Sequence, residues 1–262
     1  ALDFGEDAFL SLGEKNMGNN PAENVVVTLS LTDPYITLID NTEAYPTIPS
    51  QQTVTVDNGF QVHIANNVPD GYQKMVTASA TNGIDTWTSY FNLQCRAPQL
   101  GAGNIIIDDS QGGNGNGRLD AGETAILKIP TSNTGMSAAP DAMAYLSVSS
   151  GLITMSNNTF SLGTINPLSS PYAEFNVSVD PAAQPGVSIN FDYSAVSGEY
   201  STQRTYVLQA GLLVEDWETG DFSKFPWTHG GNLPWTISNV GPYEGSYSAR
   251  SGAINNSSSS QL

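Results

Sequence analysis

The chain has almost no cysteine, few bases and no long apolar run. Cys95 is its only cysteine, so no internal disulfide can form and stability must come from packed cores, hydrogen bonds and bound ions. As a nucleophile it is poorly equipped. It ends a strand-like run, Tyr90-Phe91-Asn92-Leu93-Gln94, just before Arg96-Ala97-Pro98, and neither His63 nor His229 lies near it in sequence. A small, buried strand-end residue is the better reading; no catalytic residue is assigned, and this chain is not expected to be an enzyme. Lys and Arg number eight against 25 Asp and Glu, a formal net charge of −17. Such a chain repels nucleic-acid phosphates and anionic membranes and draws cations. No apolar stretch reaches the roughly 20 residues that span a bilayer, and helical periodicity never extends past two turns. Charged residues are only 13%, so the surface is mostly Ser, Thr, Asn and Gly. Ala1 is not an expected natural start, and the chain reads as a piece of a longer polypeptide.

What is present is a repeat. Shifted by 117 residues, the chain matches itself at 15 positions between residues 2 and 42. Leu2-Asp3-Phe4-Gly5-Glu6 falls on Leu119-Asp120-Ala121-Gly122-Glu123, Asn16 and Gly18 on Asn133 and Gly135, and Ile36-Thr37 on Ile153-Thr154. A slip of two residues then aligns Phe60, Val62 and Ile64 with Phe175, Val177 and Val179. A period near 100 residues is that of tandem domains. Within each copy apolar residues alternate: Val25, Val27, Leu29 and Leu31; Ala142, Ala144, Leu146 and Val148; Phe175, Val177 and Val179. A period of two puts alternate side chains on one buried face. Pro69-Asp70-Gly71 and Gln184-Pro185-Gly186 supply turns. The fold class expected is all-β: two tandem immunoglobulin-like sandwiches, residues 1–96 and 97–210, lacking the Cys…Trp…Cys signature of antibody domains.

Residues 108–123, DDSQGGNGNGRLDAGE, carry the clearest chemistry. Calcium takes six to eight oxygen ligands, and a twelve-residue loop supplies them from positions 1, 3, 5, 7, 9 and 12, with glycine at 6. With Asn114 at position 3, Asn116 falls at 5, Gly117 at 6, Arg118 at 7 (through its carbonyl), Asp120 at 9 and Glu123 at 12. Position 1 is Gly112, so Asp108 or Asp109 must complete the set. Three or four carboxylates predict a weak site, on the order of 10⁻⁴–10⁻³ M, filled where calcium is plentiful outside cells. In the first copy Asp3 and Glu6 occupy the places of Asp120 and Glu123, as the tail of a second such loop whose head is missing and whose metal binding is expected to be poorer. The complete loop is expected beside the junction near 97–103, where an ion would limit hinge bending.

After Tyr206-Val207-Leu208 the character changes. Residues 211–262 hold three of the four tryptophans, Trp217, Trp227 and Trp235, and a Ser-rich end. About 50 residues are few for an independent β core, and the segment reads as the opening strands of a larger sandwich. Its aromatics could form a sugar platform or fill a core. Asp216, Glu218 and Asp221 could hold another calcium, although their spacing is not diagnostic.

The GNGNGRLDAGE loop with its Asn-x-Gly and following β domain resembles modules found downstream of the protease domain in gingipain-like cysteine peptidases of Bacteroidetes. Residues 215–222 (EDWETGDF), 225–228 (FPWT), 234–237 (PWTI) and 243–252 (YEGSYSARSG) look like the opening of that family's cleaved-adhesin domain. The resemblance implies a jelly-roll-like, calcium-carrying domain active in adhesion to host proteins. It also implies a secreted or outer-surface location, with host or matrix proteins or glycans as partners. The family's catalytic Cys–His dyad is not in this chain, so the resemblance implies parentage rather than peptidase activity. A monomer is expected. The rival reading is a carbohydrate-binding accessory module of a glycan-degrading enzyme.

Overall fold

The computed structural model describes residues 1–212, 215–243 and 245–262. They form two compact units, Ala1–Ala210 and Gly211–Leu262. Both are all-β, with no helix among the described residues.

The first unit contains two sandwiches of one design. In the first, β1 (Leu2–Asp3), β2 (Asp7–Lys15), β3 (Val26–Ser30), β4 (Ile36–Asp40), β5 (Thr42–Ala44), β6 (Thr53–Ile64), β7 (Gln73–Thr81) and β8 (Thr86–Arg96) form two sheets. Their orders are β1-β8-β7-β3-β5 and β2-β6-β4. The second has β9 (Leu100–Ala102), β10 (Ile106–Asp108), β11 (Thr124–Asn133), β12 (Ala139–Val148), β13 (Ile153–Met155), β14 (Thr159–Ile165), β15 (Tyr172–Val179), β16 (Val187–Ser197) and β17 (Tyr200–Ala210). Here the orders are β14-β12-β16-β17 and β10-β11-β15-β13, with β9 also on β11. Strand for strand, β2-β6-β4 matches β11-β15-β13, and β8-β7-β3-β5 matches β17-β16-β12-β14.

Alternation explains both cores. Val25, Val27, Leu29, Phe60, Val62 and Ile64 face inward in the first sandwich, as do Ala144, Leu146, Phe175, Val177 and Val179 in the second. Phe60 and Phe175 are equivalent and fully buried, each worth about 2–3 kcal/mol in apolar burial. The reversal at Pro69-Asp70-Gly71 needs glycine, because Gly71 has φ 72° and a Cβ is penalised there.

The sandwiches meet through specific contacts. Asp70 Oδ1 accepts hydrogen bonds from Ala97 N (2.9 Å) and Met136 N (3.2 Å). Ser137 Oγ donates to Asp3 Oδ1, and the Tyr200 hydroxyl donates to Val68 O at 2.8 Å. Phe4 meets Tyr200 edge-on at 5.2 Å. Burial pushes the Tyr200 phenol up to about 12.

One expectation is corrected by strand register. The loop after β10 does not lie beside residues 97–103. Leu100 pairs with Asn133, but Asp108 pairs with Ile126. The chain thus runs along β11 and carries the loop to the opposite end of the sandwich, nearly the whole strand away. There Leu119 bridges Ala210, parallel, as Leu2 pairs with Cys95 in the first sandwich. In the first sandwich the corresponding end is the one that meets the second sandwich.

In Gly211–Leu262, β18 (Gly230–Gly231) pairs with β21 (Ser260–Gln261), and β19 (Thr236–Ser238) pairs with β20 (Ser248–Arg250). Trp217 packs against Trp227 at 5.4 Å and edge-on to Phe222 at 5.7 Å. This ring cluster, with two short ladders, organises the unit.

Candidate functional site

The loop from Asp109 to Glu123 closes between β10 and β11, which are hydrogen-bonded neighbours. Its shape comes from glycine. Gly115 and Gly117 have φ of 76° and 73°, a region that L side chains rarely adopt. A Cβ on Gly113 would lie 2.8 Å from Glu123 Oε2 and 2.9 Å from Asp109 Cβ, so only glycine lets these two acids flank the chain there.

Asp109 and Asp108 have different roles. Asp109 is buried, and its carboxylate accepts from Gly117 N (3.1 Å) and Asn116 N (3.0 Å). Asp108 sits on β10, pairing with Lys128 Nζ at 2.7 Å and accepting from Ser110 Oγ at 2.6 Å. Those bonds, Lys128 first, hold its carboxyl at about 2.

The other candidates gather around the loop. Asp120 Oδ2 accepts from Asn114 Nδ2 (2.9 Å) and Asn116 Nδ2 (2.7 Å). Asn114 Oδ1 accepts from Asn116 N at 3.0 Å. Glu123 Oε1 accepts from Asn114 N at 3.0 Å. Arg118 lies on the exposed rim, while the next residue, Leu119, is fully buried and anchors the loop to the core. So Asp109, Asn114, Asn116, Asp120 and Glu123 share one hydrogen-bond network, and Asp108 stands outside it. Among the described residues no three carboxylates, imidazoles or thiols form a metal cluster by themselves; here amide groups are interleaved with the acids.

Whether these residues suit a hard cation turns on Glu123 Oε2, which is buried and has no hydrogen-bond partner among the described residues. A charged oxygen left so costs at least about 1–3 kcal/mol, and a cation relieves that cost. Three carboxylates and two amides, all with oxygen to offer, match calcium rather than a softer metal. A half-turn of either Asn amide would replace the Nδ2 now facing Asp120 with Oδ1.

The corresponding acids of the first sandwich are arranged differently. Asp3 Oδ1 is taken by Ser137, and Glu6 Oε1 accepts from Asp3 N at 2.7 Å. Asp216, Glu218 and Asp221 do not converge. Asp216 pairs with Lys224 at 2.7 Å, Glu218 Oε1 accepts from Ser246 N at 2.7 Å, and Asp221 accepts from Ser223 N at 2.9 Å.

Cys95 is fully buried, and burial pushes its thiol up. His63 is exposed on its sheet and bonds Asp7 at 2.6 Å. His229 packs on Phe222 at 4.6 Å. Trp227 is 36% exposed and its indole donates to Glu215 Oε2 at 2.7 Å, while Trp217 and Trp235 are half-buried.

Asn16 and Asn133, which the repeat superposes, have a structural role that the sequence left unassigned. Asn133 Nδ2 donates to Ser137 O (2.8 Å) and Ile165 O (2.9 Å), and its Oδ1 accepts from Gly135 N (3.0 Å) and Gln99 N (3.0 Å). Asn16 repeats three of the four bonds, with Asn20 O, Ile48 O and Gly18 N. The signal was there: a polar Asn-x-Gly recurring at the end of an apolar strand.

No family model matches this chain, and no curated protein matches it. Among solved structures it is similar to a protein of unknown function from Porphyromonas gingivalis W83, at 12% identity and TM-score 0.25, covering 80% of this chain and 93% of that one. It is similar to red sea bream transglutaminase at 12% identity and TM-score 0.31, covering 80% of this chain and 30% of that one. It is also similar to E. coli alpha-2-macroglobulin at 11% identity and TM-score 0.32, covering 92% and 18%. At these TM-scores none of the likenesses carries an argument.

Proposed function

We propose that this chain is a non-catalytic, calcium-stabilised stalk and adhesin region of a secreted or cell-surface bacterial protein, of the kind carried by gingipain-like peptidases. The observation that carries the reading is the buried, unpartnered Oε2 of Glu123 beside Asp109. Asp109, Asn114, Asn116, Asp120 and Glu123 would hold the ion, with the Arg118 carbonyl as a further oxygen. Calcium supplies no reaction here; it neutralises the acids and fixes a glycine-rich loop. The loop lies where β17 ends and the chain leaves the second sandwich, so the ion would stiffen that end. Two sandwiches in series, joined through Asp70, Ser137 and Tyr200, would space an adhesive domain from its parent, with host or matrix proteins or glycans as partners. The test is melting of the whole chain with and without calcium. A rise in melting temperature that Glu123→Ala abolishes supports the reading; a curve that excess chelator leaves unchanged ends it.

A second reading has one observation in its favour. Phe225, Pro226 and Trp227 form a shallow shelf with Glu215, and an exposed ring beside a carboxylate suits a sugar. Quenching of tryptophan fluorescence by oligosaccharides, lost in Trp227→Ala, would establish it.

A further inference from the structure

The 109–123 loop holds two of the chain's four Asn-Gly pairs, Asn114-Gly115 and Asn116-Gly117; the others are Asn58-Gly59 and Asn82-Gly83. Asparagine before glycine is especially open to ring closure, because no Cβ shields the following amide nitrogen from the asparagine's own side-chain carbon. Whether the ring closes depends on how that nitrogen is held.

Three of the pairs are held. Gly117 N donates to Asp109 Oδ1 at 3.1 Å, and a carboxylate facing that N–H opposes loss of its proton. Gly83 N donates to Thr81 Oγ1 at 3.1 Å, while Asn82 Oδ1 is taken by Ile84 N and Asp85 N. Asn58-Gly59 lies inside β6, in the bulge opposite Leu10 and Leu12. A Cβ on Gly59 would lie 2.7 Å from Val56 Cγ1 and 2.8 Å from Glu43 Cγ, so that backbone is packed in place. Gly115 is different. Its N donates to neither a backbone nor a side-chain acceptor among the described residues. Asn114 and Gly115 are both exposed, and no atom lies within 4 Å of where a Cβ on Gly115 would be. Nothing blocks the backbone there from turning onto the side chain. Asn114 Oδ1 accepts from Asn116 N at 3.0 Å, so the oxygen that gains negative charge as nitrogen adds to Cγ already has a donor.

We infer that Asn114 is a self-modification site: it deamidates ahead of the chain's other Asn-Gly pairs and exchanges a neutral group of the loop for a carboxylate that strengthens its hold on a divalent cation. Gly115 N loses its proton to water and bonds to Asn114 Cγ; the Cγ–Nδ2 bond breaks, and ammonia leaves. Water then opens the cyclic imide to aspartate or isoaspartate. Water is consumed, ammonia is released, and nothing is oxidised or reduced. Asn114 Nδ2 stands 2.9 Å from Asp120 Oδ2. In the aspartate product two carboxylates face each other there, and a cation between them removes the repulsion. Affinity in calcium loops is tuned by the number of charged ligands. The gain in affinity rests on the calcium reading above; the deamidation does not.

The experiment is peptide mapping by mass spectrometry of the full chain, aged in mildly alkaline buffer with chelator. The mass gain of an amide-to-acid change is expected first at Asn114. It is expected to vanish at that position in Asn114→Gln, whose longer side chain closes the ring poorly. Affinity is read by calcium titration of Asn114→Asp, expected to bind about tenfold more tightly than the unaged chain. Both variants alter an exposed loop residue. No gain at Asn114, or an earlier gain at Asn58, Asn82 or Asn116, overturns the inference, and so does equal calcium affinity in Asn114→Asp and the unaged chain. If neither binds calcium while Asn114 still gains mass, the calcium reading falls and the modification site stands.

Discussion

The two sandwiches share a strand order, a core and an Asn-x-Gly corner, and the second shows how a lead-in segment is built onto that frame. That segment, residues 97–123, adds two short strands, a glycine-shaped loop and the fourth hydrogen bond to the corner asparagine. The cores are equally sealed where the sheets face each other and unequally sealed at the β2 and β11 edges. The segment closes an edge and places a polar loop at one end of the module.

The comparison breaks most visibly if the cores are not equivalent. Phe60→Ala and Phe175→Ala each remove a fully buried ring and should each cost about 3–5 kcal/mol in denaturant unfolding. A marked inequality would show that one sandwich leans on the other. The asparagines come next. Asn133→Ala strands four backbone partners and should cost about 2–3 kcal/mol. Asn16→Ala strands three in a more exposed corner and should cost about 1 kcal/mol less. Equal costs would mean that the Gln99 bond adds nothing.

Calcium sharpens the contrast between the two sets of acids. At about 10 to 100 times its dissociation constant it should stabilise the chain by about 1–3 kcal/mol, read as a rise in melting temperature. Asp3→Ala should leave that rise intact, because Asp3 serves Ser137. The smallest effect is on acid stability. Asp108 is held at about 2 by Lys128 and Ser110, below its ordinary 3.8. A depressed carboxyl contributes stability above its unfolded value and loses it as pH falls through the folded one. Asp33 acts in the same sense: burial raises its carboxyl, but hydrogen bonds from Tyr72, Tyr35, Lys74 and Ile36 outweigh that. Asp108→Asn should flatten the loss between about pH 4 and 2, measured by fluorescence-monitored acid titration. It should leave the first sandwich's share, carried by Asp33, in place.

Much of the fold was legible because strands alternate with period two, so Val25, Val27 and Leu29 or Phe175, Val177 and Val179 announce their inward face. The repeat was legible from identities alone. The loop's direction was not: it depends on Leu100 and Asp108 pairing at opposite ends of β11, and register between strands leaves no mark in local sequence. The choice between Asp108 and Asp109 failed to show for the same reason, since it is Lys128, 20 residues on, that claims Asp108. The asparagine corner hides because Asn133 reaches Ile165, 32 residues away.

The most direct measurement is a calorimetric calcium titration of the chelator-stripped chain, run beside Glu123→Ala. Expected is weak, saturable binding, with the equivalent of calcium held by the 109–123 loop lost in Glu123→Ala and kept in Asp3→Ala. No binding at millimolar calcium, or binding that survives intact in Glu123→Ala, would contradict the assignment of the ion to that loop.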